Sequence, residues 1–272
     1  MNQVFFKVLI ISILCIISSN AQYHPPIQNF TPDVYKAGNQ NWNISRDDNN
    51  RIYVANNFGL LEFDGLRWTL HPTPDGSIMR SVFVKNNIVF TGAYMDFGYW
   101  LRNENGTLAY TSLANTVGFQ TIEDEQFWNI FSHKQYILFQ SLNRLVIYNQ
   151  QSNTLKTYTS EYGILDAFVN DDEIYFQDNN RTLFKIENEK SLVYLSAAAL
   201  NQNQVVGLVN TSVGQLIVTR ENGLFLNARN LKATQPQLSK SLAQDVVYSF
   251  TQAANGQLIL GTVKNGVYIL SE

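Results

Sequence analysis

The sequence repeats itself six times, and this repetition restricts the possible folds more than any other feature of the chain. Each repeat consists of short apolar, strand-like runs that are separated by polar breaks. The spacing between repeats is about 40 residues, which is typical of proteins built from similar stacked units. The repeats cover residues 42–65, 80–103, 128–150, 166–188, 206–228 and 248–270.

Each repeat contains three clear runs, A, B and C, and several repeats show a fourth, D. The break between runs A and B is a tight polar turn, for example Asn86-Asn87, Asp171-Asp172 and Asn255-Gly256. Asn, Asp and Gly are favoured there because they tolerate the positive φ angles of short hairpins. Run D is visible as "RWTLH", "TLAYTS", "TLKTYTS" and "SLVYLS". The unit is therefore an antiparallel meander of four strands.

Four antiparallel strands at this period predict an all-β fold, a β-propeller of four-stranded blades. Each blade is a small sheet that buries its faces by stacking on its neighbours around an axis. Alternate residues of run B, such as Ile52 and Val54 or Leu258 and Leu260, are expected to form the core between blades. A β-helix is the main alternative, but its rungs are shorter and contain fewer turns.

The sixth repeat is incomplete, because it ends at Leu270, two residues before the end of the sequence, and has no run D. An open arc of blades would leave two edges uncovered. We therefore expect residues 42–272 to be a truncated ring of about seven blades. Residues 22–41 are predicted to complete the last blade, with 27–35 as the candidate strand.

The first 21 residues have the pattern of a secretory signal peptide. Lys7 precedes an apolar run from Val8 to Ile17, and small residues follow up to Ala21. The run is short for a membrane span, so a retained anchor is the less favoured alternative. We predict cleavage after Ala21 and export to the periplasm.

Composition limits the compartment and the partners. The signal peptide contains the only cysteine, Cys15, so the mature chain forms no disulfide bond and must depend on a large core. Removing Lys7 changes the formal charge from −3 to −4, since 18 basic residues then face 22 acidic ones. This mild acidity argues against direct contact with nucleic acid.

No catalytic, metal or cofactor motif stands out. His24, His71 and His133 are scattered and lack the spacing of metal ligands. No nucleophile elbow, P-loop or dinucleotide fingerprint is present. Glu123 and Glu125 form an acid pair, but the "EDE" run is typical of a solvated connection. We predict no catalytic residue, no metal site and no cofactor.

A ligand site is predicted at one mouth of the propeller. The B–C and D–A connections meet at the same edge of a meander, and they vary in length while the A–B turns are short and uniform. Tyr94 and Asp96 are the leading candidates because the second repeat has the longest B–C insertion. The predicted ligand-binding residues are Tyr94, Asp96, Arg80, Trp42, Asn57, Trp128, Glu221 and Lys264.

These side chains suit an oligosaccharide. Aromatic rings stack on the C–H faces of sugars, while Asn, Asp and Arg form hydrogen bonds with hydroxyl or uronate groups. The alternative is that each residue forms a turn or packs between blades. This alternative is strongest for Trp42 and Trp128, which occupy the same position in their repeats.

Two stretches carry a family likeness. "PPIQNFTPDVYKAGNQNWNISRDDNNRIYVANNFGLLEFDGLRW" (25–68) resembles the start of the periplasmic sensor region of two-component-regulator propeller proteins. "MRSVFVKNNIVFTGAYMDFGYW" (79–100) resembles the second blade of that family. The likeness is clearest in repeats one, two and six. Tyr53 stands where many such repeats have Trp, a mild change at a buried aromatic position.

The resemblance implies a sensory role, which we interpret as a non-catalytic sensor that binds a small ligand. It does not identify the ligand, and the oligosaccharide expectation comes from the site residues above. Similar regulators continue into a triple-tyrosine domain, a membrane helix and a LuxR-type output module, or belong to hybrid histidine kinases. Those downstream parts are absent from this sequence. A homodimer is a further expectation. Two alternatives stay open: an exported interaction scaffold and a polysaccharide-acting enzyme.

Overall fold

The structure, a computed structural model, describes residues 27–115, 119–227 and 231–270. Residues up to Thr31 and residues from Pro32 onward form two compact units, and every helix and strand of the described residues belongs to the second. The predicted signal peptide lies outside the described residues. Within these residues, no helix has both the length and the apolar character that a membrane crossing requires.

The described residues of the second unit contain 23 β-strands in six sheets, which we call blades 1 to 6. Blade 1 contains β1 (Asn41–Arg46), β2 (Ile52–Asn56), β3 (Gly59–Phe63) and β4 (Trp68–His71). Blade 2 contains β5 (Met79–Lys85), β6 (Ile88–Ala93), β7 (Phe97–Arg102) and β8 (Leu108–Ser112). Blade 3 contains β9 (Phe127–His133), β10 (Tyr136–Ser141), β11 (Arg144–Asn149) and β12 (Thr154–Thr159).

The second half repeats the same arrangement. Blade 4 contains β13 (Ile164–Asn170), β14 (Glu173–Asp178), β15 (Leu183–Glu187) and β16 (Lys190–Leu195). Blade 5 contains β17 (Val205–Thr211), β18 (Gly214–Thr219), β19 (Leu224–Asn227) and β20 (Leu231–Thr234). Blade 6 contains β21 (Val247–Gln252), β22 (Leu258–Thr262) and β23 (Val267–Leu270). Two helices, α1 (Pro32–Tyr35) and α2 (Pro236–Asp245), complete the unit.

Every blade is an antiparallel meander whose strand order follows the chain. The A–B turns are the predicted hairpins: Asn86 and Asn87 have φ angles of 51° and 60°, and Asp171 has 50°. Positive φ at both central residues matches the right-handed twist of the flanking strands. The first strands of successive blades lie against each other, so they line the axis. The predicted all-β architecture of four-stranded units is confirmed for blades 1 to 5.

The core lies between the blades, as the alternation of apolar residues predicts. Five clusters of buried apolar side chains follow one another along the chain, and each joins two neighbouring blades. Between blades 2 and 3, the ring of Phe97 lies 4.5 Å from that of Phe127 and 4.7 Å from that of Phe139. Between blades 5 and 6, Leu258 and Leu260 are buried.

Blade 6 has three strands, as predicted, whereas a short helix replaces part of the strand that was predicted before blade 1. Pro32–Tyr35 is helix α1, so the strand predicted at 27–35 is wrong over these four residues. The buried ring of Tyr35 lies 5.9 Å from that of Trp68 on the last strand of blade 1. Packing against that blade accounts for the local conformation. Completion of the last blade by residues 22–41 stays a prediction.

Candidate functional site

All six axial strands carry a β-bulge at their second residue. In each blade the register between the first two strands shifts at this position, so one residue has no partner across the ladder. Bulges re-aim side chains and are frequent next to functional sites. Because all six lie where the D–A connection enters the blade, they surround one mouth of the axis. The bulge residues are Trp42, Arg80, Trp128, Leu165, Val206 and Tyr248.

Three bulge residues from blades 1, 2 and 3 pack together at this mouth. The guanidinium carbon of Arg80 lies 4.2 Å from the ring centroid of Trp42 and 4.7 Å from that of Trp128. The two indole rings meet edge to face, with centroids 5.8 Å apart and planes at 78°. A cation between two tryptophan faces is a favourable arrangement. We call these three residues the Trp–Arg–Trp cluster.

Amide side chains hold the cluster in place. The Nε1 of Trp42 donates a hydrogen bond to Oδ1 of Asn57 over 2.7 Å, and Nδ2 of Asn57 donates to Oε1 of Gln40 over 2.8 Å. The Nε of Arg80 donates to Oε1 of Gln126 over 2.6 Å. Burial lowers the pKa of Arg80. Its Nη1 is buried and has no hydrogen-bond partner among the described residues, so one donor awaits an acceptor.

Four of the eight predicted site residues therefore meet at one place: Trp42, Asn57, Arg80 and Trp128. All three members of the cluster are bulge residues at the same position of neighbouring blades, and their side chains contact one another. Arg80 occupies one face of each indole, so the aromatic surface left for a ligand is mainly that of Trp42, which is 40% exposed. The binding role of these residues stays a prediction.

Tyr94 lies beside the cluster, on the B–C connection of blade 2. Its backbone pairs with Gln126 in an isolated bridge, and Gln126 in turn receives the hydrogen bond of Arg80. Its hydroxyl donates to the carboxylate of Asp124, and this hydrogen bond is the main cause that raises the pKa of Tyr94. The phenol is thus hydrogen-bonded to the D–A connection that leads from blade 2 to blade 3.

Asp96 is more deeply fixed. Its carboxylate accepts hydrogen bonds from the backbone of Phe97 (2.8 Å), from Oγ of Ser112 (2.6 Å) and from the hydroxyl of Tyr110 (2.8 Å). Burial raises the pKa of Asp96, although the three donors act in the opposite direction. Asp96 also lines a cavity of about 420 Å³ together with Asp75. The three donors indicate that the carboxylate fastens the B–C connection.

Glu221 and Lys264 are not brought to the cluster. Glu221 lies on blade 5, where an oxygen of its carboxylate is 3.8 Å from Nε of Arg220. Lys264 lies on blade 6 and donates from Nζ to the backbone oxygen of Gln244 at the end of α2. Both side chains belong to the same kind of connection as the cluster, but to different blades.

The sequence interpretation of the "EDE" run was wrong for Glu125. This residue is only 2% exposed and forms a bidentate ion pair with Arg144, with Nε at 2.9 Å from Oε1 and Nη2 at 2.5 Å from Oε2. Arg144 also lies 4.5 Å from the ring centroid of Phe119. The pair fastens the long connection before blade 3, which a local charge pattern cannot reveal because Arg144 lies 19 residues away. Within the described residues, no group of three acidic, His or Cys side chains is placed to hold a metal ion.

A second feature was missed altogether. A cavity of about 500 Å³ lies on the axis, between the first strands of blades 3 to 6. Asp166, the residue after the bulge in blade 4, lines it, and burial raises the pKa of this carboxyl to about 7. Sequence could have signalled Asp166 only through its repeat position, which Asn43, Asn129 and Ser249 occupy in other blades.

The fold is shared with solved structures. The extracellular domain of BT4673, a one-component system from B. thetaiotaomicron, is 19% identical and aligns with a TM-score of 0.61 over 84% of this chain and 32% of that one. The extracellular domain of BT3049, a hybrid two-component system from B. thetaiotaomicron, is 15% identical, with a TM-score of 0.64 over 89% of this chain and 35% of that one. Virginiamycin B lyase from Staphylococcus aureus is 13% identical, with a TM-score of 0.56 over 85% and 84%.

These likenesses confirm the β-propeller fold. No protein-family model matches the sequence, and no curated protein matches it either. The chain spans about a third of the length of the two B. thetaiotaomicron domains. The lyase is matched over most of both chains, so the same fold occurs in extracellular domains of one- and two-component systems and in a lyase.

Proposed function

We propose that this chain is the ligand-binding propeller of an exported sensor and that its ligand enters at the mouth formed by the bulge residues. The observation that carries this proposal is the contact of Trp42, Arg80 and Trp128, which come from three blades. Bulges occur at the same position of all six axial strands, and bulges commonly re-aim side chains next to functional sites. The likeness to extracellular domains of one- and two-component systems supports the sensory role.

The proposed ligand is a fragment of an oligosaccharide. The exposed part of Trp42 offers a flat surface for the C–H face of a sugar ring. Arg80 supplies a planar cationic donor set, and Asn57 and Gln126 add amide groups at the rim. The buried, unpaired Nη1 of Arg80 gains an acceptor if a hydroxyl or carboxylate group reaches between the indoles.

Signal transmission is proposed to arise from the origin of the site in separate blades. A ligand that moves the Trp–Arg–Trp cluster changes how blades 1, 2 and 3 pack, since each member stands at the start of an axial strand. A ligand biases such an equilibrium only through its different affinity for the two states. A downstream triple-tyrosine region and output module would read this change.

Thermal-shift measurements on residues 22–272 against a panel of neutral and acidic oligosaccharides test the proposal. A ligand at about 100 times its dissociation constant stabilises the folded state by about 2.7 kcal/mol. We expect a shift with one glycan class that Trp42→Ala abolishes and that Arg80→Lys weakens, because lysine lacks the planar fork. Ile44→Ala, at an exposed residue of the same strand, is the control. A shift that survives Trp42→Ala would place the ligand elsewhere.

An enzyme is the second candidate, favoured only by the likeness to virginiamycin B lyase. The same samples distinguish the two functions. Chromatography of each stabilising glycan after incubation should recover it unchanged if the chain is a sensor, whereas products would establish turnover.

Export, cleavage and self-association belong to the same proposal. Edman sequencing of the protein secreted to the periplasm should begin at Gln22. Light scattering after gel filtration measures whether residues 22–272 form a homodimer. An N-terminus at Met1 in the membrane fraction would instead favour a retained anchor.

A further inference from the structure

The charged residues that line the axial cavity are all acidic. The cavity measures about 500 Å³ and is lined by residues of β9, β13, β17 and β21, the first strands of blades 3 to 6. Its charged lining residues are Asp166 and Asp171, and no Lys, Arg or His of the described residues lines it. A concave surface that carries charge of one sign concentrates ligands of the opposite sign.

Asp166 forms no ion pair with any cationic side chain in the part of the chain that the structure describes. Within the described residues, its carboxylate receives one hydrogen bond, from the backbone of Ala167 over 2.8 Å. Burial raises the pKa of Asp166 to about 7, against an ordinary value of 3.8. Asp171 differs, because it accepts a hydrogen bond from Nδ2 of Asn210 over 2.6 Å. Asp166 is therefore the unsatisfied anion of the cavity.

One neighbouring amide nitrogen also lacks a hydrogen-bond partner within the described residues. Asn170, on the same strand as Asp166, is only 6% exposed, lines the cavity, and its Nδ2 has no hydrogen bond among the described residues. Across the cavity, Phe131 from blade 3 and Phe250 from blade 6 line the wall. Buried polar groups that lack a protein partner call for a ligand or water. Aromatic walls around a carboxylate favour an organic cation.

We propose that the axial cavity binds a small organic ammonium compound bearing hydroxyl groups, with its ammonium group against Asp166. An ammonium donor supplies the hydrogen bonds and the charge that this carboxylate lacks. Hydroxyl groups suit Asn170 and Ser249 on opposite walls. The volume falls within the range of small-ligand sites, roughly 300–1,000 Å³. The cavity shares the bulge residues Val206 and Tyr248 with the mouth, but none of its lining residues belongs to the Trp–Arg–Trp cluster. Its proposed ligand therefore goes beyond the glycan proposed at that cluster.

Calorimetry with two matched probes tests the charge requirement. The probes are 1-amino-1-deoxysorbitol, a polyol with a primary ammonium group, and sorbitol, its neutral counterpart. At pH 8 we expect the amine to bind the mature chain and sorbitol to bind at least tenfold more weakly. Equal affinity for the two polyols, or heat from neither, would overturn the proposal.

Charge variants locate the ammonium group. Asp166→Asn should weaken binding of the amine at least tenfold, because it removes the anion and keeps the shape. Asp172→Asn removes an equal charge from the adjacent turn, outside the cavity, and should bind as the unaltered protein does. Trp42→Ala should also leave the amine affinity unchanged, because Trp42 does not line the cavity, and this result would separate the amine site from the Trp–Arg–Trp cluster. Full binding by Asp166→Asn would contradict the assignment.

The pH dependence provides an independent readout. The other titratable lining groups are Asp171 on the same strand and Tyr248 on β21, while the lining residues of β9 and β17 carry none. Protonation of Asp166 removes the anion, so the dissociation constant should rise about tenfold per pH unit below about 7. Asp166→Asn should lose this dependence. A dependence retained in that variant would assign it to another group and overturn the role of Asp166.

Discussion

The fold places the carboxyl group of Asp166 where burial disfavours its charged form. Its neighbours on the strand form an ordinary blade edge, yet its carboxyl lies in the axial cavity with a single backbone donor. A strand position is readable from sequence, but the loss of water around it is not, because four separate blades create the cavity. The pKa of Asp166 is therefore a property of the assembled ring.

This environment predicts an unusual effect of Asp166→Asn on stability. The folded-state pKa of about 7 exceeds the ordinary 3.8, so the folded state holds a proton that the unfolded state releases. The stabilisation that comes from the raised pKa of Asp166 is fully present below about pH 4 and is lost as the pH rises through 7. We expect the variant to melt above the unaltered protein at pH 8 and close to it at pH 4. Thermal melts without ligand measure this, and a lower melting temperature at pH 8 would contradict it.

Glu125 is the opposite case, a buried carboxylate that is fully paired. Removing one partner of a buried ion pair leaves the other charge uncompensated, which typically costs about 3–5 kcal/mol. Glu125→Gln should therefore lower the free energy of unfolding by about that amount in urea titrations. Glu123→Gln, two residues earlier and exposed, is the matched control and should have little effect. Equal stabilities of the two variants would show that the pair with Arg144 contributes nothing.

At the scale of elements, most strands could be predicted and the bulges could not. Hairpin residues such as Asn86-Asn87 mark a turn locally, because only certain residue types tolerate its φ angles. A bulge, in contrast, is a relation between two strands, and the six bulge residues share no chemistry. The equal repeat position of Trp42 and Trp128 was visible in the sequence. Their contact through Arg80 was not.

Helix α2 had a readable signal that was missed. Proline stands at its start, and Leu238 and Leu242 are four residues apart, which is the spacing of one helical face. Leu242 is fully buried in the core between blades 5 and 6, and Leu238 packs against the same cluster. Run D was likewise not recognised in the fifth repeat, where residues 228–230 lie outside the described ranges.

The packing of one blade on the next predicts that Gly207 cannot carry a side chain. A Cβ atom at Gly207 on β17 would lie 2.2 Å from Cδ1 of Phe250 on β21, so the ring must move. Overpacking of this kind costs about 1–3 kcal/mol. Gly207→Ala should lower stability by that amount in urea titrations. Val213→Ala, at an exposed hairpin residue of the same blade, should change it by less than about 0.5 kcal/mol. If Gly207→Ala left the free energy of unfolding unchanged, Phe250 of blade 6 would not pack against Gly207 of blade 5.

At the scale of the whole molecule, the outer face of blade 6 stands out. Five core clusters join successive blades, and this face is not among the surfaces they cover. On its last strand, Val267 and Ile269 are 62% and 61% exposed, while the alternating Tyr268 and Leu270 pack against blade 5. Propeller blades normally bury both faces, so both sides of a strand in such a repeat are apolar. The last strand of blade 6 follows this pattern, although one of its sides is exposed.

This asymmetry predicts the outcome of a paired substitution on the exposed side. Val267→Lys with Ile269→Lys should leave the melting temperature of residues 22–272 within a few degrees, because both side chains already face water. The same change should reduce any concentration-dependent association seen by sedimentation velocity, since charged edge strands resist pairing. The control is Tyr268→Lys with Leu270→Lys on the inner side, which should strongly destabilise the fold. If the double substitution on the outer side destabilises the protein as much as the one on the inner side, the outer face of blade 6 is covered in solution. The next experiment would then identify the segment or partner that covers it.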